Sequence, residues 1–431
     1  MKLLLYNSVK NLLRSYPFIH WRLKKINRLF EMTREEIDEY NNKEFVKMFR
    51  HAIKKSPFYK KFYAEHGITI DSVKSVADIE KLPVITKDIV SKHCDEIATG
   101  CRLFRKKVYT SGSTGKSMAI YTSLRTAIIE QAYLYKTRQI DGYKPGERIV
   151  SLRGHLDAKH FKLRLPFCNI LYLSSFYFHP DKAHDYYNEI IKYKPRAIEG
   201  YPSSLYNLCL LLKDAGLKMN IPLCFTSSET LYDFQRDLFK EILGCETFDH
   251  YGCTEKTVYF RESHDHKGYY DAPGYSINEF DNGELITTTL INKAFPLIRY
   301  KMIDIVVLNE PWVKNMATDP NIRLIDGRVD ECFKSKSGKL LGLLESLVKG
   351  VPHIKLAQYV QPHEGYIDVN IVPDGDFNES DKKHIADNIA AKIGKDDIDY
   401  SINIVDESKI IYRRSGKFSM AVNLTKEKDV I

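Results

Sequence analysis

The stretch V-Y-T-S-G-S-T-G-K-S-M-A-I-Y-T-S, Val108 to Ser123, decides how the rest of the chain is interpreted. Its G-K-S ending resembles a nucleotide-binding P-loop, whose pattern is G-x-x-x-x-G-K-[ST]. The first glycine of that pattern lets the backbone curl around a phosphate, and Thr110 replaces it here. The residues after the loop alternate between apolar and polar, which is typical of a strand, whereas a P-loop is followed directly by a helix. The stretch therefore predicts a β-hairpin. Its tip, Thr110 to Lys116, offers hydroxyl groups, backbone N–H groups and one lysine to a polyphosphate, with a plain Ser/Gly turn as the alternative.

The composition of the 431 residues is that of an ordinary globular protein, with 43% hydrophobic and 28% charged residues. This length allows two or more domains. No segment approaches the roughly 18 to 20 uninterrupted apolar residues of a membrane-spanning helix. The N-terminal segment is too interrupted by Asn, Lys and Arg for a signal peptide, so we expect a cytoplasmic protein. The eight cysteines lack the C-x-x-C spacing of a zinc or redox site, and free buried thiols are expected.

The net charge of +9 suits anionic small molecules as well as it suits nucleic acid or anionic lipid. The first thirty residues contain no acidic residue and seven basic ones, Lys2, Lys10, Arg14, Arg22, Lys24, Lys25 and Arg28. Leucine and aromatic residues, among them Trp21, are interleaved with them. The segment predicts a basic N-terminal helix that makes peripheral contact with a membrane or another anionic partner, with a merely solvated basic face as the alternative. Nucleic acid is not expected as a partner.

Helical and strand patterns alternate along the chain and predict an α/β fold. Residues 31–65 have the apolar spacing of a helix, interrupted at Pro57. From Val108 onward strands alternate with helices, which favours a large body with mainly parallel sheets. Between Gly274 and Val307 the pattern becomes strand-turn-strand, with D-N-G-E at 281–284 as a hairpin turn, and predicts a β-rich subdomain.

A smaller α+β unit is predicted after Gly327. Its expected elements are strands at Ile354 to Val360, Tyr366 to Val372 and Tyr400 to Val405, and a helix from Asp381 to Ile393. The sequence thus predicts an N-terminal domain over residues 1–326 and a small C-terminal domain over 327–431.

Five motifs in a fixed order connect these domains to one family. They are Y-T-S-G-S-T-G-K-S-M (109–118), S-S-E-T (227–230) with D-H-Y-G-C-T-E (249–255), P-L-I-R-Y-K-M-I-D (296–304), D-G-R-V-D-E (326–331) and R-R-S-G-K-F (413–418). Together they resemble the adenylate-forming superfamily of acyl-CoA synthetases, peptide-synthetase adenylation domains and luciferase-type enzymes. The first motif lacks the family's trailing Pro-Lys, and Met302-Ile303 replaces the family's x-Gly. The phrases E-G-Y-P-S-S-L-Y and C-F-T-S-S-E-T-L-Y most resemble the phenylacetate-CoA ligase branch, and within it the subgroup associated with capsular polysaccharide biosynthesis.

The resemblance implies ATP and Mg²⁺ as cofactors and a role for each motif. The cofactor-binding residues would be Thr110, Ser111, Gly112, Ser113, Thr114, Gly115 and Lys116 for the phosphates, Ser228, Glu229 and Tyr251 for adenine, Asp304 for the ribose, and Arg328 for ATP in one state. Glu255 would ligate Mg²⁺, and Thr254 would donate to the α-phosphate. Lys417 would bridge that phosphate and the acid, while Asp330 would be the hinge about which the C-terminal domain rotates. These implied roles need oxygen ligands for the metal and cations for the phosphates, which the residue types supply.

The acid itself is predicted to be small or polar. The pocket walls expected from R-G-H (153–155), S-S-F-Y-F-H (174–179) and G-Y-P-S-S (200–204) give His155, Ser175, Tyr201 and Ser203 as pocket residues. His155, His179 and His250 are otherwise interpreted as structural histidines. The acyl acceptor would be CoA or a carbohydrate, the latter suiting surface-polysaccharide biosynthesis. A P-loop kinase and a non-catalytic nucleotide-binding scaffold are the alternative functions.

Overall fold

The computed structural model describes most of the chain, in residues 16–101, 105–109, 118–153, 161–164, 169–175, 178, 180–281, 284–309, 322–328, 333–336, 340–341, 344–348, 350–393, 396–412 and 418–425. The chain divides into two compact units. One contains residues 1–110, 118–302 and 306–325, and the other contains 111–117, 303–305 and 326–431. Each unit is described by itself.

The described N-terminal region is helical. Its helices are α1 (Tyr16–Glu31), α2 (Arg34–Lys55), α3 (Pro57–Glu65), α4 (Lys87–Lys92) and α5 (Cys94–Ile97). Thr33 and Glu36 form a capping box at the start of α2. Ser56 ends α2, caps α3 with its hydroxyl, and precedes Pro57 at the first position of α3. The predicted helical segment and its interruption at Pro57 are therefore confirmed.

The strand after the predicted phosphate loop is confirmed. Strand β1 (Arg105–Tyr109) pairs antiparallel with β2 (Ala119–Ser123), with Tyr109 opposite Ala119. The chain thus returns from the loop as a strand and not as the helix of a P-loop. The tip itself, Thr110 to Lys116, lies outside the described residues.

A twelve-stranded mixed sheet forms the body of the large unit. Its order is β11-β12-β13-β14-β10-β9-β8-β7-β6-β3-β5-β4. The strands are β3 (Ile149–Arg153), β4 (Lys162–Arg164), β5 (Ile170–Ser174), β6 (Ala197–Gly200), β7 (Leu223–Ser227), β8 (Glu246–Gly252), β9 (Tyr259–Glu262), β10 (Tyr269–Asp271), β11 (Ser276–Asp281), β12 (Glu284–Thr289), β13 (Tyr300–Leu308) and β14 (Ile322–Arg328). The five neighbours β5, β3, β6, β7 and β8 are parallel. The pairs β8–β9, β9–β10 and β11–β12 are antiparallel, the last with Asp281 opposite Glu284 as the D-N-G-E turn predicts. The predicted α/β class with a β-rich part is confirmed, as a mixed sheet.

Helices cover both faces of the parallel strands because both faces are apolar. Helices α7 (Ala183–Tyr193), α8 (Pro202–Asp214) and α9 (Asp233–Leu243) pack on the face that contains Leu152, Ile198 and Cys224. The opposite face contains Phe225 and Phe248, and helix α6 (Leu124–Ile140) places the Arg138 guanidinium over the Phe225 ring, 4.8 Å from its centroid. Helix α1 packs on α6.

The C-terminal part has its own four-stranded sheet. Strands β17 (Ile354–Gln361), β18 (Tyr366–Pro373), β19 (Asp399–Ile404) and β20 (Ala421–Asn423) follow the order β19-β18-β17-β20, and helix α10 (Glu379–Lys392) crosses between β18 and β19. The short strands β15 (Phe333–Lys334) and β16 (Leu340–Leu341) pair with each other. The predicted helix and three strands are confirmed to within two residues at each end, and β20 was not predicted. None of the helices in the described ranges is long and apolar enough to span a bilayer.

Candidate active site at the carboxyl edge of the parallel strands

Three of the predicted segments of the large unit lie at one edge of the sheet. In an open parallel sheet, ligands bind beyond the carboxyl ends of the strands. Strand β7 ends at Ser227, whose register partner on β8 is His250, and Gly200 at the end of β6 pairs with Thr226. The S-S-E-T, Y-G-C-T-E and G-Y-P-S-S motifs therefore follow three adjacent strands and are brought together by the fold.

The turn predicted to contact adenine begins directly after β7. Ser228 is exposed and has a φ of 71°, a left-handed conformation that is uncommon for residues other than glycine. Its hydroxyl donates to that of Ser227 over 3.4 Å. Tyr251, at the end of β8, is half-buried and stacks on Phe260 with ring centroids 5.7 Å apart. Its ring is therefore held in place by packing, and its predicted contact with adenine stays a prediction.

The segment after β8 carries the predicted catalytic pair. Thr254 and Glu255 lie in a half-buried turn, and the N–H of Lys256 donates to the carbonyl of Cys253 over 3.2 Å. Burial, followed by the charge of Glu255, raises the pKa of the Cys253 thiol to about 12. This thiol is therefore not a nucleophile at neutral pH. Glu255 is placed where a carboxylate could meet a ligand at the sheet edge.

Lys256 anchors this turn through contacts with two neighbouring elements. Its ammonium group forms an ion pair with Glu130 of α6 at 2.5 Å, and both side chains are largely buried. Its carbonyl accepts a hydrogen bond of 2.7 Å from the hydroxyl of Thr289. The φ of Lys256 is 60°, so two contacts hold a backbone conformation that a lysine rarely adopts. The turn that presents Glu255 is thus anchored to α6 and to β12.

A charged cluster lies beside the predicted acyl pocket. Glu199 of β6 is opposite Ser151 of β3, whose hydroxyl donates to Glu199 Oε1 over 2.6 Å. Arg138 of α6 forms an ion pair with Glu199 Oε2, and Arg153 at the end of β3 donates from Nη2 to Glu199 Oε1 over 3.2 Å. The side chains of Arg138 and Glu199 are 11% and 16% exposed, whereas that of Arg153 is 51% exposed. One carboxylate therefore serves two guanidinium groups.

The electrostatics keep this cluster charged. Burial alone would raise the pKa of Glu199, but Arg138, Arg153 and the Ser151 hydroxyl together lower it to about 2. Arginine does not lose its proton in proteins. The cluster accordingly carries one net positive charge at neutral pH.

Three further predicted pocket residues follow the ends of β5 and β6. Ser175 follows β5 and its N–H donates to the carbonyl of Arg153 over 2.8 Å. Tyr201 follows β6 and precedes helix α8, where its carbonyl accepts from the N–H of Leu205 over 3.0 Å. Ser203 lies in the first turn of α8, and the structure describes its backbone only. These residues lie at the predicted edge, and their contact with an acid stays a prediction.

His250 is interpreted as a structural residue, as the sequence suggests. Its ring stacks on Tyr259 with centroids 5.3 Å apart. Burial and then the charge of Arg138 lower its pKa to about 4, so the imidazole is neutral near pH 7.

Other predicted site residues are only partly described. Asp304 lies within β13 and is half-buried, and Arg328 ends β14 with only its backbone described. Thr110 to Lys116, His155, His179, Asp330 and Lys417 lie outside the described residues. Within the described ranges, no group of three or more His, Cys, Asp or Glu side chains could hold a metal ion. A Mg²⁺ bound by one carboxylate and by substrate phosphates needs no such group, so Glu255 fits the ion's chemistry.

Arg138, Glu199 and Lys256 also contribute to this edge, and none of them was predicted from the sequence as a site residue. A signal for Glu199 was present, because a glutamate within the buried strand A-I-E-G needs a buried partner. Its partner Arg138 lies 61 residues earlier on a helix and no spacing rule connects them. Arg153 was included only as part of a pocket wall.

Comparison with known proteins supports the family predicted from the motifs. Residues 333–424 match the family described as the CapK C-terminal domain. Protein CapK of Staphylococcus aureus is 27% identical over 331 residues, which cover 73% of this chain and 71% of that protein. A phenylacetate-coenzyme A ligase of Aromatoleum evansii is 22% identical over 308 residues, which cover 65% of this chain and 68% of that protein.

Solved structures give the same fold. A 2-hydroxyisobutyryl-CoA ligase in its postadenylation state matches with a TM-score of 0.71 at 15% identity, over 91% of this chain and 90% of that one. An anthranilate CoA ligase in complex with anthranoyl-AMP matches with a TM-score of 0.50 at 17% identity, over 72% of this chain and 65% of that one. The predicted resemblance to acyl-CoA ligases is confirmed as a similarity in sequence to these relatives and in fold to these solved structures.

Proposed function

Since the chain is a relative of CapK and of phenylacetate-coenzyme A ligase, we propose that it activates a carboxylic acid with ATP as an acyl-adenylate, releasing pyrophosphate. The observation that carries this proposal is the convergence of three motifs at the carboxyl ends of the adjacent strands β6, β7 and β8. Motifs separated by dozens of residues in sequence share one edge, where a nucleotide and an acid can meet. The acyl group then passes to an acceptor.

The chemistry requires placement and charge neutralisation. The acid's carboxylate attacks the α-phosphorus of ATP while the negative charges of the two reactants repel each other. Thr254 is proposed to donate its hydroxyl to the α-phosphate, and Glu255 to ligate Mg²⁺, which would neutralise charge on the phosphates. The Glu130–Lys256 ion pair would hold the turn in position for both. Lys417 and the hinge residue Asp330 keep the roles implied by the resemblance, as proposals.

We take CoA as the first candidate for the acceptor. The 2-hydroxyisobutyryl-CoA ligase, which covers nearly the whole chain, also has a structure with its acyl-adenylate and CoA bound. A sugar amine or hydroxyl in surface-polysaccharide assembly is the second candidate, and the similarity to CapK along most of the chain favours testing it. A CoA thioester formed from acid, ATP and CoA would support the first. Acid-dependent AMP release that needs a sugar and not CoA would support the second.

The large unit also has a basic surface that we propose contacts an anionic membrane. Trp21 on α1 is 69% exposed, and the Arg22 guanidinium covers its ring at 4.1 Å. Burial and then neighbouring cations lower the pKa of Lys25 and of Lys293, although Glu44 partly offsets the effect. Cations from α1, α2, the start of α6 and the loop after β12 therefore share one region, namely Arg22, Lys25, Lys47, Arg125 and Lys293. A basic surface with an exposed tryptophan fits a lipid interface.

Co-sedimentation tests this membrane contact. The full chain is expected to bind phosphatidylcholine vesicles that contain phosphatidylserine, to bind pure phosphatidylcholine vesicles poorly, and to release on added salt. Trp21→Ala with Lys25→Glu should abolish binding, whereas Lys383→Glu, which changes an exposed lysine on α10, should not. Equal binding to both vesicle types would refute the contact.

A product assay with a panel of carboxylic acids tests the central activity. Acid-dependent release of AMP and pyrophosphate is expected. Release of ADP would instead support a kinase, and no nucleotide turnover with any acid would support a scaffold. Running the panel with and without CoA identifies the acceptor.

A further inference from the structure

Arg153 differs from the other arginine that contacts Glu199. Arg138 is buried and aligned on the carboxylate, and it alone balances that charge. The Ser151 hydroxyl supplies a second short hydrogen bond, of 2.6 Å, to the same group. Arg153 adds one longer bond of 3.2 Å and leaves half of its side chain exposed. Glu199 therefore has its neutralising partner without Arg153.

The position of Arg153 is that of a ligand contact. Arg153 is the last residue of β3, at the carboxyl edge where the predicted pocket segments begin. Ser174 is its register partner on β5, and Ser175 donates to its carbonyl. A guanidinium group has five N–H donors in a planar fork that matches a carboxylate. Among the described residues, the contact of Arg153 with Glu199 uses one nitrogen of that fork.

Strand order places Arg153 away from the adenylation residues. Strands β6 and β7 lie between β3 and β8. Three strand spacings of about 4.8 Å each separate the backbone at Arg153 from the end of β8, a distance of about 14 Å. Thr254 and Glu255, which follow β8, are proposed to act on the α-phosphate and on Mg²⁺, where the reacting carboxylate attacks. A group that meets Arg153 would therefore belong to the remote part of the acid.

We propose that the acid activated by this protein carries a second anionic group, most simply a second carboxylate, and that Arg153 binds it. This inference rests on the proposed function and specifies its substrate class. Counting only the residues that the structure describes, the cluster of Arg138, Arg153 and Glu199 has one positive charge in excess, and an aliphatic acyl chain would leave that charge unbalanced. A second carboxylate would accept two parallel hydrogen bonds and complete the charge balance.

Matched pairs of acids test the proposal. Succinate is compared with butyrate, and glutarate with pentanoate, in ATP–pyrophosphate exchange by the full chain. For the wild type, kcat/KM for the dicarboxylic acid of at least one pair is expected to exceed that of the monocarboxylic acid. Arg153→Met should lower the dicarboxylate value by about 10- to 100-fold, as expected for loss of a charge-assisted hydrogen bond. It should leave the monocarboxylate value within about threefold of wild type.

Two further variants separate charge from structure. Arg153→Lys keeps the charge without the fork and should recover part of the dicarboxylate activity. Lys162→Met removes an exposed cation on β4, which is separated from β3 by β5. Lys162 pairs with Glu189, and its loss should leave kcat/KM for both acids unchanged. An equal loss for both acids in Arg153→Met would overturn the inference, because Arg153 would then act on the reacting carboxylate or on the fold. Exchange that favours butyrate and pentanoate would overturn it while leaving the proposed function intact. No exchange with any acid would overturn both.

Discussion

Two buried carboxylates in the same sheet have opposite electrostatics. Glu199 on β6 and Asp249 on β8 are separated by one strand. The register puts Glu199 level with Phe225 and Asp249 level with Thr226, so the two side chains point to opposite faces. Glu199 has two arginines and a pKa lowered to about 2. Burial, and then the charge of Glu262, raise the pKa of Asp249 to about 6.

The network around Asp249 has a surplus of carboxylate. Asp249 accepts hydrogen bonds of 2.6 Å from Thr226 and 2.9 Å from Tyr269. Glu262 accepts from the N–H of Asp249 and forms an ion pair of 2.6 Å with Arg236. His266 lies 3.3 Å from Glu262 and 2.9 Å from Glu246, so three carboxylates share Arg236 and His266, and Asp249 can relieve the excess by taking up a proton.

The difference shows which polar cluster points to a ligand. The surplus carboxylate Asp249 can be neutralised inside the protein, by protonation once the pH falls to about 6 or below. A surplus arginine has no such option, because it stays protonated. The excess charge at Glu199 is therefore exposed through Arg153 at the edge of the sheet. Three substitutions test this contrast.

Removing Arg138 should have the largest effect. Arg138→Met would leave the buried Glu199 with only the partial partner Arg153, and breaking a buried pair typically costs about 3 to 5 kcal/mol. Urea denaturation at neutral pH should show a loss of about 3 kcal/mol in the free energy of unfolding. Lys162→Met is the control and should lose less than about 0.5 kcal/mol. A similar small loss for Arg138→Met would show that Arg153 alone can neutralise Glu199.

The ionisation of Glu199 should be visible in the free energy of unfolding measured at acidic pH. A carboxylate whose folded pKa is below its unfolded value stabilises the fold above pH 4.5, and this contribution is lost as the pH falls to about 2. We expect roughly 2 kcal/mol of wild-type stability to disappear across this window. In Glu199→Gln that part of the pH dependence should be missing. A curve for Glu199→Gln parallel to that of wild type would contradict the ionised assignment.

Asp249 should give a smaller effect of opposite sign. Its folded pKa lies above its unfolded value, so the fold loses stability as the pH rises from 3.8 through about 6. Asp249→Asn cannot ionise and should lack this decline, which we expect to be about 1 kcal/mol. Unfolding free energies measured between these pH values check the prediction. An increase in wild-type stability across the window that is absent in Asp249→Asn would reverse the comparison.

Local patterns in the sequence predicted much of the fold. The alternation after Ser117 predicted strand β2 against the helix of a P-loop, and D-N-G-E predicted the turn between β11 and β12. The predicted interruption of the helix at Pro57 is equally local. Such features depend on neighbours in sequence, so they are accessible without coordinates.

Features that depend on tertiary packing were not predicted. The Arg138–Glu199 and Glu130–Lys256 pairs join α6 to strand ends 61 and 126 residues later. The antiparallel pairing of β9 and β10 beside the parallel strands was also missed, since a strand's apolar pattern does not give its direction. The motifs predicted Ser228, Tyr251 and Glu255 as site residues, and their roles stay predictions.

The most direct test of acyl-adenylate formation is ATP–pyrophosphate exchange measured for wild type, Glu255→Gln and Glu246→Gln. The two glutamates lie near opposite ends of β8: Glu255 follows its carboxyl end, and Glu246 begins it, where it contacts His266. We predict acid-dependent exchange in wild type and in Glu246→Gln, and a loss of about 10²-fold or more in Glu255→Gln. Undiminished exchange in Glu255→Gln, or exchange that does not depend on an acid, would contradict the account.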